Sequence, residues 1–243
     1  HKVLVIDDEK ATLTMFGLFL KAYGYTVFTA DNGERGLALL EAETPPIVFT
    51  DLKMPGMDGF DVLRSIKRNH PATEVIVITG HGDMDLVIQA LNLEATDFIN
   101  KPVTRQALDA ALKRAEARLT EKRSDTARPK GAEIKLKEAG AIVRIDIRGT
   151  LGQESRAALR EAFNKTRGEM KGVVLHFEIN AAVNGAGIGE LARWLAELRR
   201  RQTRTAISGL SNNFQTIFDM VGLGRYADFF PTAEEAIQAL SAG

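Results

Sequence analysis

The chain has 243 residues, of which 44% are hydrophobic and 26% charged, as expected for a soluble globular protein of about two domains. It contains no cysteine, which excludes disulfides, iron–sulfur clusters, thiolate zinc sites and cysteine nucleophiles. The net charge is zero, with −4 over residues 1–120 and +4 over the rest, a contrast too small to indicate a nucleic-acid-binding domain. No apolar run reaches the roughly 18 residues of a membrane helix, and no secretory leader is evident. We therefore expect a cytoplasmic protein, with some residues missing before His1.

Apolar runs alternate with amphipathic segments through the first half of the chain. Five short runs are almost continuously apolar, which is typical of strands buried on both faces of a parallel sheet. They occupy residues 2–6, 25–30, 46–51, 74–79 and 97–100. Segments with apolar residues at helical spacing separate them, for example Leu13, Phe16 and Leu20. Five such units in 120 residues predict an α/β domain with a five-stranded, doubly wound parallel sheet over residues 1–120.

A predicted helix from about residue 103 closes this domain. Its apolar residues follow a 4-3-4 spacing at Leu108, Leu112, Ala115 and Leu119. Two alternatives fit this spacing. The helix could form a helical seam, that is, a coiled-coil contact between two copies of the chain, or it could pack on the sheet of its own domain with Leu119 in a frayed end. The polar segment that follows contains proline and glycine, which predicts a linker over residues 121–132.

The second half has a different pattern. Residues 134–140 and 141–149 alternate apolar and polar side chains, as the half-exposed strands of an antiparallel hairpin do. A helix, a buried strand at 172–179, a long helix at 187–201, a strand at 203–208 and two further helices follow. These elements predict a smaller mixed α/β domain over residues 133–243.

Reactive side chains follow the predicted strands of the first domain. Asp7 and Asp8 come after the first strand, Asp51 ends the third, Thr79 ends the fourth and Lys101 follows the fifth. Because the carboxyl ends of parallel strands meet in one crevice, we expect these groups to converge. Three carboxylates in one place repel each other unless a hard cation such as Mg²⁺ binds them. With a lysine and a hydroxyl nearby, the set is suited to phosphoryl transfer onto a carboxylate.

The motifs VLVIDDE, VFTDLKMPGMDG, VIVITG and DFINKP occur in this order, and with them residues 1–120 resemble the receiver domain of two-component response regulators. The resemblance implies a flavodoxin-like fold with Asp51 as the phosphoacceptor. Mg²⁺ would be bound by Asp8, Asp51 and the main-chain carbonyl of Lys53, while Asp7 would hold a metal-bound water. Without the resemblance, Asp7 and Asp8 could equally be caps of the following helix.

The same resemblance assigns a switch pair and a catalytic lysine. Thr79 and Phe98 would be the switch pair, and the Lys101-Pro102 peptide would be cis, directing the ammonium into the pocket. Taken alone, Phe98 is better explained as a core residue than as part of a switch. His81 could tune hydrolysis of the acyl phosphate, or it could be a solvated loop histidine.

Several features of the second half have a structural alternative. The glycine-rich turn near residues 184–187 could offer backbone N–H groups to an anion, or it could reflect tight backbone packing. The run Arg199–Arg201 with Arg204 could be a nucleic-acid patch, or a solvated face favoured by a helix C-terminus. Trp194 is predicted to be a core residue.

The segments GVVLHFEI, NGAGIGEL, AISGLSNNFQTIFDMVGL and FFPTAEEAI resemble the STAS domain of anti-sigma-factor antagonists. In that family a serine on the turn after the buried strand is phosphorylated by a kinase that is also the anti-sigma factor. The matching positions here are Asn184, Gly185, Ala186 and Gly187, none of which carries a hydroxyl. The resemblance therefore implies that control has moved from the turn to Asp51.

Together these features predict a response regulator that is phosphorylated by a sensor histidine kinase or a phosphotransfer protein. Its output would be binding of an anti-sigma-factor or kinase-type protein at the turn, in a partner-switching circuit. It would catalyse no reaction other than the phosphoryl chemistry at Asp51, with Mg²⁺, and would bind neither nucleic acid nor membrane. Dimerisation on phosphorylation would follow if the helix from residue 103 forms a seam. The alternatives are a STAS fold used as a scaffold or oligomerisation module, a DNA-binding transcription regulator, and an enzymatic output.

Overall fold

The computed structural model describes residues 1–80, 82–124, 131–165 and 170–242. The chain divides into two compact units, residues 1–126 and 127–243. His81 and residues 125–130 of the predicted linker lie outside the described residues.

The first unit is a five-stranded parallel sheet with helices between successive strands, which confirms the predicted fold class. The sheet order is β2-β1-β3-β4-β5, so the chain changes direction across the sheet between β1 and β3. The crevice at the carboxyl ends of these two strands is where such folds place a site. The elements are β1 (Lys2–Ile6), α1 (Lys10–Ala22), β2 (Thr26–Ala30), α2 (Gly33–Glu43), β3 (Ile47–Asp51), α3 (Gly59–Asn69), β4 (Glu74–Thr79), α4 (Met84–Asn92), β5 (Asp97–Asn100) and α5 (Arg105–Ser124).

Helix α5 packs against the sheet of its own unit. Leu108, Leu112 and Ala115 are buried in one core with residues of α1 and the strands, and Leu119 packs at its edge. Two ion pairs with buried carboxylates hold the helix: Arg114 Nε lies 3.0 Å from Asp97 Oδ2 and Arg118 Nε lies 3.0 Å from Glu74 Oε2. The apolar stripe is therefore not available as a seam between two copies, and that alternative is wrong for this conformation. The helix also continues to Ser124, through the first residues of the predicted linker.

The second unit is a mixed α/β domain, as predicted. Its main sheet has the order β12-β11-β9-β7-β6, in which the β6–β7 hairpin is antiparallel and the other pairs are parallel. Strands β8 and β10 form a separate parallel pair. The elements are β6 (Glu133–Ala139), β7 (Ile142–Arg148), β8 (Thr150–Leu151), a 3₁₀ turn (Gln153–Ser155), α6 (Arg156–Lys165), β9 (Gly172–Phe177), β10 (Ala182–Val183), α7 (Gly185–Arg200), β11 (Arg204–Ser208), α8 (Asn212–Met220), β12 (Asp228–Phe230) and α9 (Ala233–Ser241).

Helix α7 is packed by its apolar face onto this sheet. Trp194 is 7% exposed, and its ring centroid lies 5.2 Å from that of Phe163 on α6. Trp194 is thus a core residue, as predicted. It is also the single tryptophan of the chain, so its fluorescence reports on the second unit alone.

Asp146 on β7 is a buried carboxylate with two cationic partners, Lys137 and Arg144. Burial raises its pKa, but hydrogen bonds from Lys137 and Arg144 and their charges outweigh burial and hold the pKa below the ordinary value of 3.8. As the pH falls, the unfolded chain is therefore protonated here before the folded chain. The stabilisation from Asp146 is present above the ordinary pKa and is lost as the pH falls through the lower, folded value.

We expect the free energy of unfolding of the second unit to decline between about pH 5 and pH 3, measured by denaturant titration of Trp194 fluorescence. Asp146→Asn should flatten this decline and cost about 1–3 kcal/mol at pH 7, because Lys137 loses its carboxylate partner and Arg144 keeps only Glu234. Asp228→Asn, at an exposed position of the same unit, is the control and should keep the wild-type profile. An unchanged profile in Asp146→Asn would contradict the assignment.

Candidate functional site

Three carboxylates meet at the carboxyl ends of β1 and β3. One oxygen from each of Asp7, Asp8 and Asp51 lies within 4.8 Å of the other two. Asp7 and Asp51 are buried, whereas Asp8 is exposed at the rim. The arrangement brings together the acidic residues that the sequence predicted to converge.

Main-chain contacts fix two of these carboxylates. Asp51 is the last residue of β3, and its Oδ1 accepts a hydrogen bond from the backbone N–H of Lys53 at 3.1 Å. Asp7 Oδ1 accepts one from the backbone N–H of Glu9 at 2.8 Å. The N-cap of α1 is Glu9, and no side chain caps this helix. The alternative that Asp7 and Asp8 are helix caps is therefore not supported.

Lys101 places its ammonium among the carboxylates. Its Nζ lies 2.6 Å from Asp51 Oδ2, 3.1 Å from Asp7 Oδ2 and 3.4 Å from Glu9 Oε2. The Lys101-Pro102 peptide is cis, as predicted, and the backbone N–H of Lys101 donates to Thr79 O at 2.7 Å. Burial lowers the pKa of Lys101, but the hydrogen bond to Asp51 and the negative charges of Asp51 and Asp7 outweigh it and raise the pKa. Lys101 is thus a fixed positive charge beside Asp51.

The buried carboxylate of Asp7 is the least satisfied group in the pocket. Burial raises its pKa, against the lowering effects of Glu9 and Lys101. In the described part of the chain, Asp7 Oδ2 accepts no hydrogen bond of good geometry, although the Lys101 ammonium is near. A buried, incompletely satisfied oxygen among carboxylates fits a hard cation with oxygen ligands, such as Mg²⁺.

Thr79 and Phe98 lie on neighbouring strands, β4 and β5. Both are buried, and the Thr79 hydroxyl donates to Asp83 Oδ2 at 3.4 Å. Asp83 also binds Lys53 Nζ at 2.7 Å, which lowers the pKa of Asp83. The position of Phe98 is that of a core residue, and its role in a switch stays a prediction. His81 lies outside the described residues.

Sequence reasoning missed two acidic residues at this site. Glu9 contacts Lys101, and Asp83 joins Thr79 to Lys53. The third acidic residue of the motif VLVIDDE was a signal for Glu9. Asp83 gave no signal, because its contacts depend on the loop between β4 and α4.

The glycine-rich turn of the second unit begins α7. Asn184 is the N-cap, and its Oδ1 accepts a hydrogen bond from the backbone N–H of Gly187 at 3.0 Å. A Cβ on Gly187 would lie 2.2 Å from Leu151 O, so this glycine serves tight backbone packing. Asn184 and Gly185 are half-buried and Ala186 is exposed. The turn therefore presents a surface without a hydroxyl at any of the four positions.

Comparison with protein families agrees with both halves of this description. The model of the response regulator receiver domain matches residues 3–113, and the model of the STAS domain matches residues 133–236. The chain is a receiver–STAS protein. Its first unit is the receiver domain and its second unit is the STAS domain.

Several known proteins are similar to the receiver–STAS protein. The DNA-binding transcriptional regulator NtrC of Salmonella typhimurium is 31% identical over 180 residues, which are 72% of this chain and 37% of NtrC. A cyclic di-GMP phosphodiesterase of Thermotoga maritima is 35% identical over 106 residues, 44% of this chain and 28% of that protein. A receiver domain protein of Clostridium thermocellum with a crystal structure is 38% identical, covers 51% of this chain and 97% of its own, and has a TM-score of 0.47. The chain spans little more than a third of the length of NtrC.

Within the described residues, no helix of the receiver–STAS protein combines the length and apolar character that a membrane span requires.

Metal binding to the receiver domain can be tested directly. We expect Mg²⁺ to bind the wild-type protein in calorimetric titration, with release by a chelator. Asp8→Asn should weaken binding at least about tenfold, a loss typical even of residues that only support a ligand. Asp31→Asn is the control, because Asp31 is exposed and its partner is Arg35. Equal affinity in the wild type and Asp8→Asn would remove Asp8 from the site.

Proposed function

We propose that the receiver–STAS protein is a response regulator whose Asp51 accepts a phosphoryl group from a sensor histidine kinase or a phosphotransfer protein. The STAS domain would provide the output by binding a protein partner in a partner-switching circuit. The observation that carries this proposal is the position of Lys101 Nζ, 2.6 Å from Asp51 Oδ2 and 3.1 Å from Asp7 Oδ2. This geometry supports the proposal because a fixed cation lies beside the buried carboxylate that would act as the nucleophile.

The geometry supports one role for each side chain in this proposal. Asp51 attacks the phosphorus atom of the donor, and the bond between phosphorus and the donor atom breaks as the acyl phosphate forms. Lys101 then balances charge on the phosphoryl oxygens, while the Thr79 hydroxyl can exchange Asp83 for a phosphoryl oxygen. Asp7, Asp8, Asp51 and the carbonyl of Lys53 would hold Mg²⁺. When bound, Mg²⁺ neutralises charge that develops on the transferred group.

The STAS turn supports a binding output. It has an exposed residue, Ala186, at a helix start, and it has no hydroxyl that a kinase could modify at residues 184–187. We therefore assign control of binding to Asp51. The partner would be an anti-sigma-factor or kinase-type protein in the cytoplasm, and the chain would catalyse no reaction beyond the phosphoryl chemistry at Asp51.

The test is capture of partners from the native host with the full chain as bait. Beryllofluoride with Mg²⁺ imitates the acyl phosphate, and Asp51→Asn serves as the matched bait that cannot bind it. We expect one partner whose capture changes with beryllofluoride for the wild type but not for Asp51→Asn. A partner captured equally by both baits in both conditions would contradict control by Asp51. A change in sedimentation with no partner captured would favour the oligomerisation alternative.

Restoring a hydroxyl to the turn should restore modification by a kinase-type partner. We expect Gly185→Ser to be phosphorylated by the captured partner with ATP, and its affinity for that partner to fall, because a phosphate adds about −1.5 to −2 charges to the interface. Mass spectrometry identifies the site. Gly185→Ala controls for the bulk of the new side chain. Ser211, the N-cap of α8, carries a hydroxyl in the wild type. If the wild type is phosphorylated on Ser211 and this modification controls binding, the proposal is contradicted.

A further inference from the structure

A basic cleft opens at the end of the STAS sheet opposite the turn. Its volume is about 310 Å³, and it is lined by the last turn of α7, the start of β11, the loop before β12 and the end of α9. The 16 residues of α7 separate it from the turn by about 24 Å. The charged residues at its wall are Arg199, Arg204, Arg225 and Asp228. The cleft is therefore distinct from the surface on which the proposed function rests.

The arginines of the cleft are held by neutral groups. Arg204 donates from Nη1 to Leu240 O at 3.0 Å and from Nη2 to Ala239 O at 3.1 Å. Arg199 donates from Nη1 to Arg225 O. The guanidinium carbons of Arg225 and Arg199 lie 4.8 Å and 5.7 Å from the ring centroid of Tyr226. These contacts orient three guanidinium groups around one space without neutralising them.

Charge compensation differs sharply between these arginines and their neighbours in sequence. Arg200 and Arg201 both form ion pairs with Glu197. Among the residues that the structure describes, no carboxylate pairs with Arg199, Arg204 or Arg225. Asp228 contributes one negative charge at the wall, and the C-termini of α7 and α9 contribute about half a negative charge each, so the three cations remain in excess. The cleft therefore keeps excess positive charge with guanidinium donors open to solvent.

We propose that this cleft binds a small anion that carries phosphate groups, with a diphosphate as the minimal ligand. Guanidinium groups match phosphate oxygens with paired N–H donors. The cleft volume lies at the lower end of the range for small-molecule sites. Arg225 and Arg199 would supply the donors, while Arg204, at the start of β11, supplies charge from a guanidinium that the carbonyls of Ala239 and Leu240 hold in place.

The experiment is titration of the full chain with pyrophosphate at constant ionic strength and without Mg²⁺, followed by calorimetry and by backbone amide NMR. We expect saturable binding with shifts at Thr205, Gly224 and Tyr226. Arg225→Gln and Arg199→Gln should each weaken binding about tenfold. Arg200→Gln is the matched control on the same helix, and it should stay within about twofold of the wild type. Parallel titrations with inorganic phosphate and with ADP distinguish a free phosphate ligand from a nucleotide.

Three results would overturn the proposal. One is an absence of binding for all three anions, with Trp194 emission showing that the STAS domain is folded. Another is equal weakening by Arg200→Gln and Arg225→Gln, which would show that only net charge matters. A third is tighter binding of an oligonucleotide through the same residues, which would make the cleft part of a nucleic-acid surface instead.

Discussion

Asp51→Asn should abolish phosphorylation of the receiver–STAS protein by a small-molecule acyl phosphate donor in the presence of Mg²⁺. Asp51 is the carboxylate that contacts Lys101 most closely, at 2.6 Å, and an amide cannot act as the nucleophile. We expect the rate of phosphoryl incorporation, measured by mass spectrometry of the intact protein, to fall at least a hundredfold, on the order of losses for other essential nucleophiles. Of the other two carboxylates of the pocket, Asp7 is fully buried, and among the described residues Asp8 forms no ion pair with Lys101.

Asp61→Asn is the control for this prediction, because Asp61 is exposed and bonded to Arg64 on the surface of α3. It should be phosphorylated at the wild-type rate. Beryllofluoride should bind the wild type and Asp61→Asn only when Mg²⁺ is present, and Asp51→Asn not at all. Wild-type incorporation into Asp51→Asn would place the phosphoacceptor elsewhere.

Gly187→Ala should destabilise the STAS domain by about 3 kcal/mol or more. The new Cβ would lie 2.2 Å from Leu151 O and 2.8 Å from Leu151 C. Both are backbone atoms of β8, which is paired with β10, so a rotamer change cannot relieve the overlap. Either α7 moves away from β8 or the β8–β10 pair separates. Denaturant titration of Trp194 fluorescence measures the loss.

Gly189→Ala is the matched control, two residues along the same helix. A Cβ at Gly189 meets nothing within 4 Å, so alanine should stabilise the helix by about 0.5–1 kcal/mol through its higher helix propensity. The same substitution is thus expected to act with opposite sign at the two positions. Similar losses in both variants would show that the contact with Leu151 does not explain Gly187.

The receiver sheet was predictable because each of its strands is visible in the sequence as a short apolar run. Strands β3 and β4 are buried along their whole length, and a strand covered on both faces is apolar on both, so its sequence is a nearly continuous apolar run. The convergence of Asp7, Asp8 and Asp51 then followed from the rule that places sites at the carboxyl ends of such strands. The fold class and the location of the acidic pocket could therefore be predicted from local patterns in the sequence.

Other features depend on tertiary contacts that no local pattern displays. The spacing of Leu108, Leu112 and Ala115 is the same for a helix on a sheet and for a helical seam, and only their burial against α1 and the strands distinguishes the two. The strands β8 and β10 have two residues each, which is too short for any periodicity. The contacts of Asp83 likewise arise from loop geometry, so its place beside Thr79 could not be predicted.

The hydrogen bond from Gly187 to Asn184 and the close approach of Gly187 to Leu151 have a consequence for recognition. They fix the start of α7 in the free protein, so the binding surface that we propose is preorganised. Binding to it should cost little conformational entropy. The free energy of association should then depend on how well the partner fits the few side-chain atoms at residues 185 and 186. A partner should therefore discriminate sharply between side chains that differ by one or two heavy atoms at residues 185 and 186.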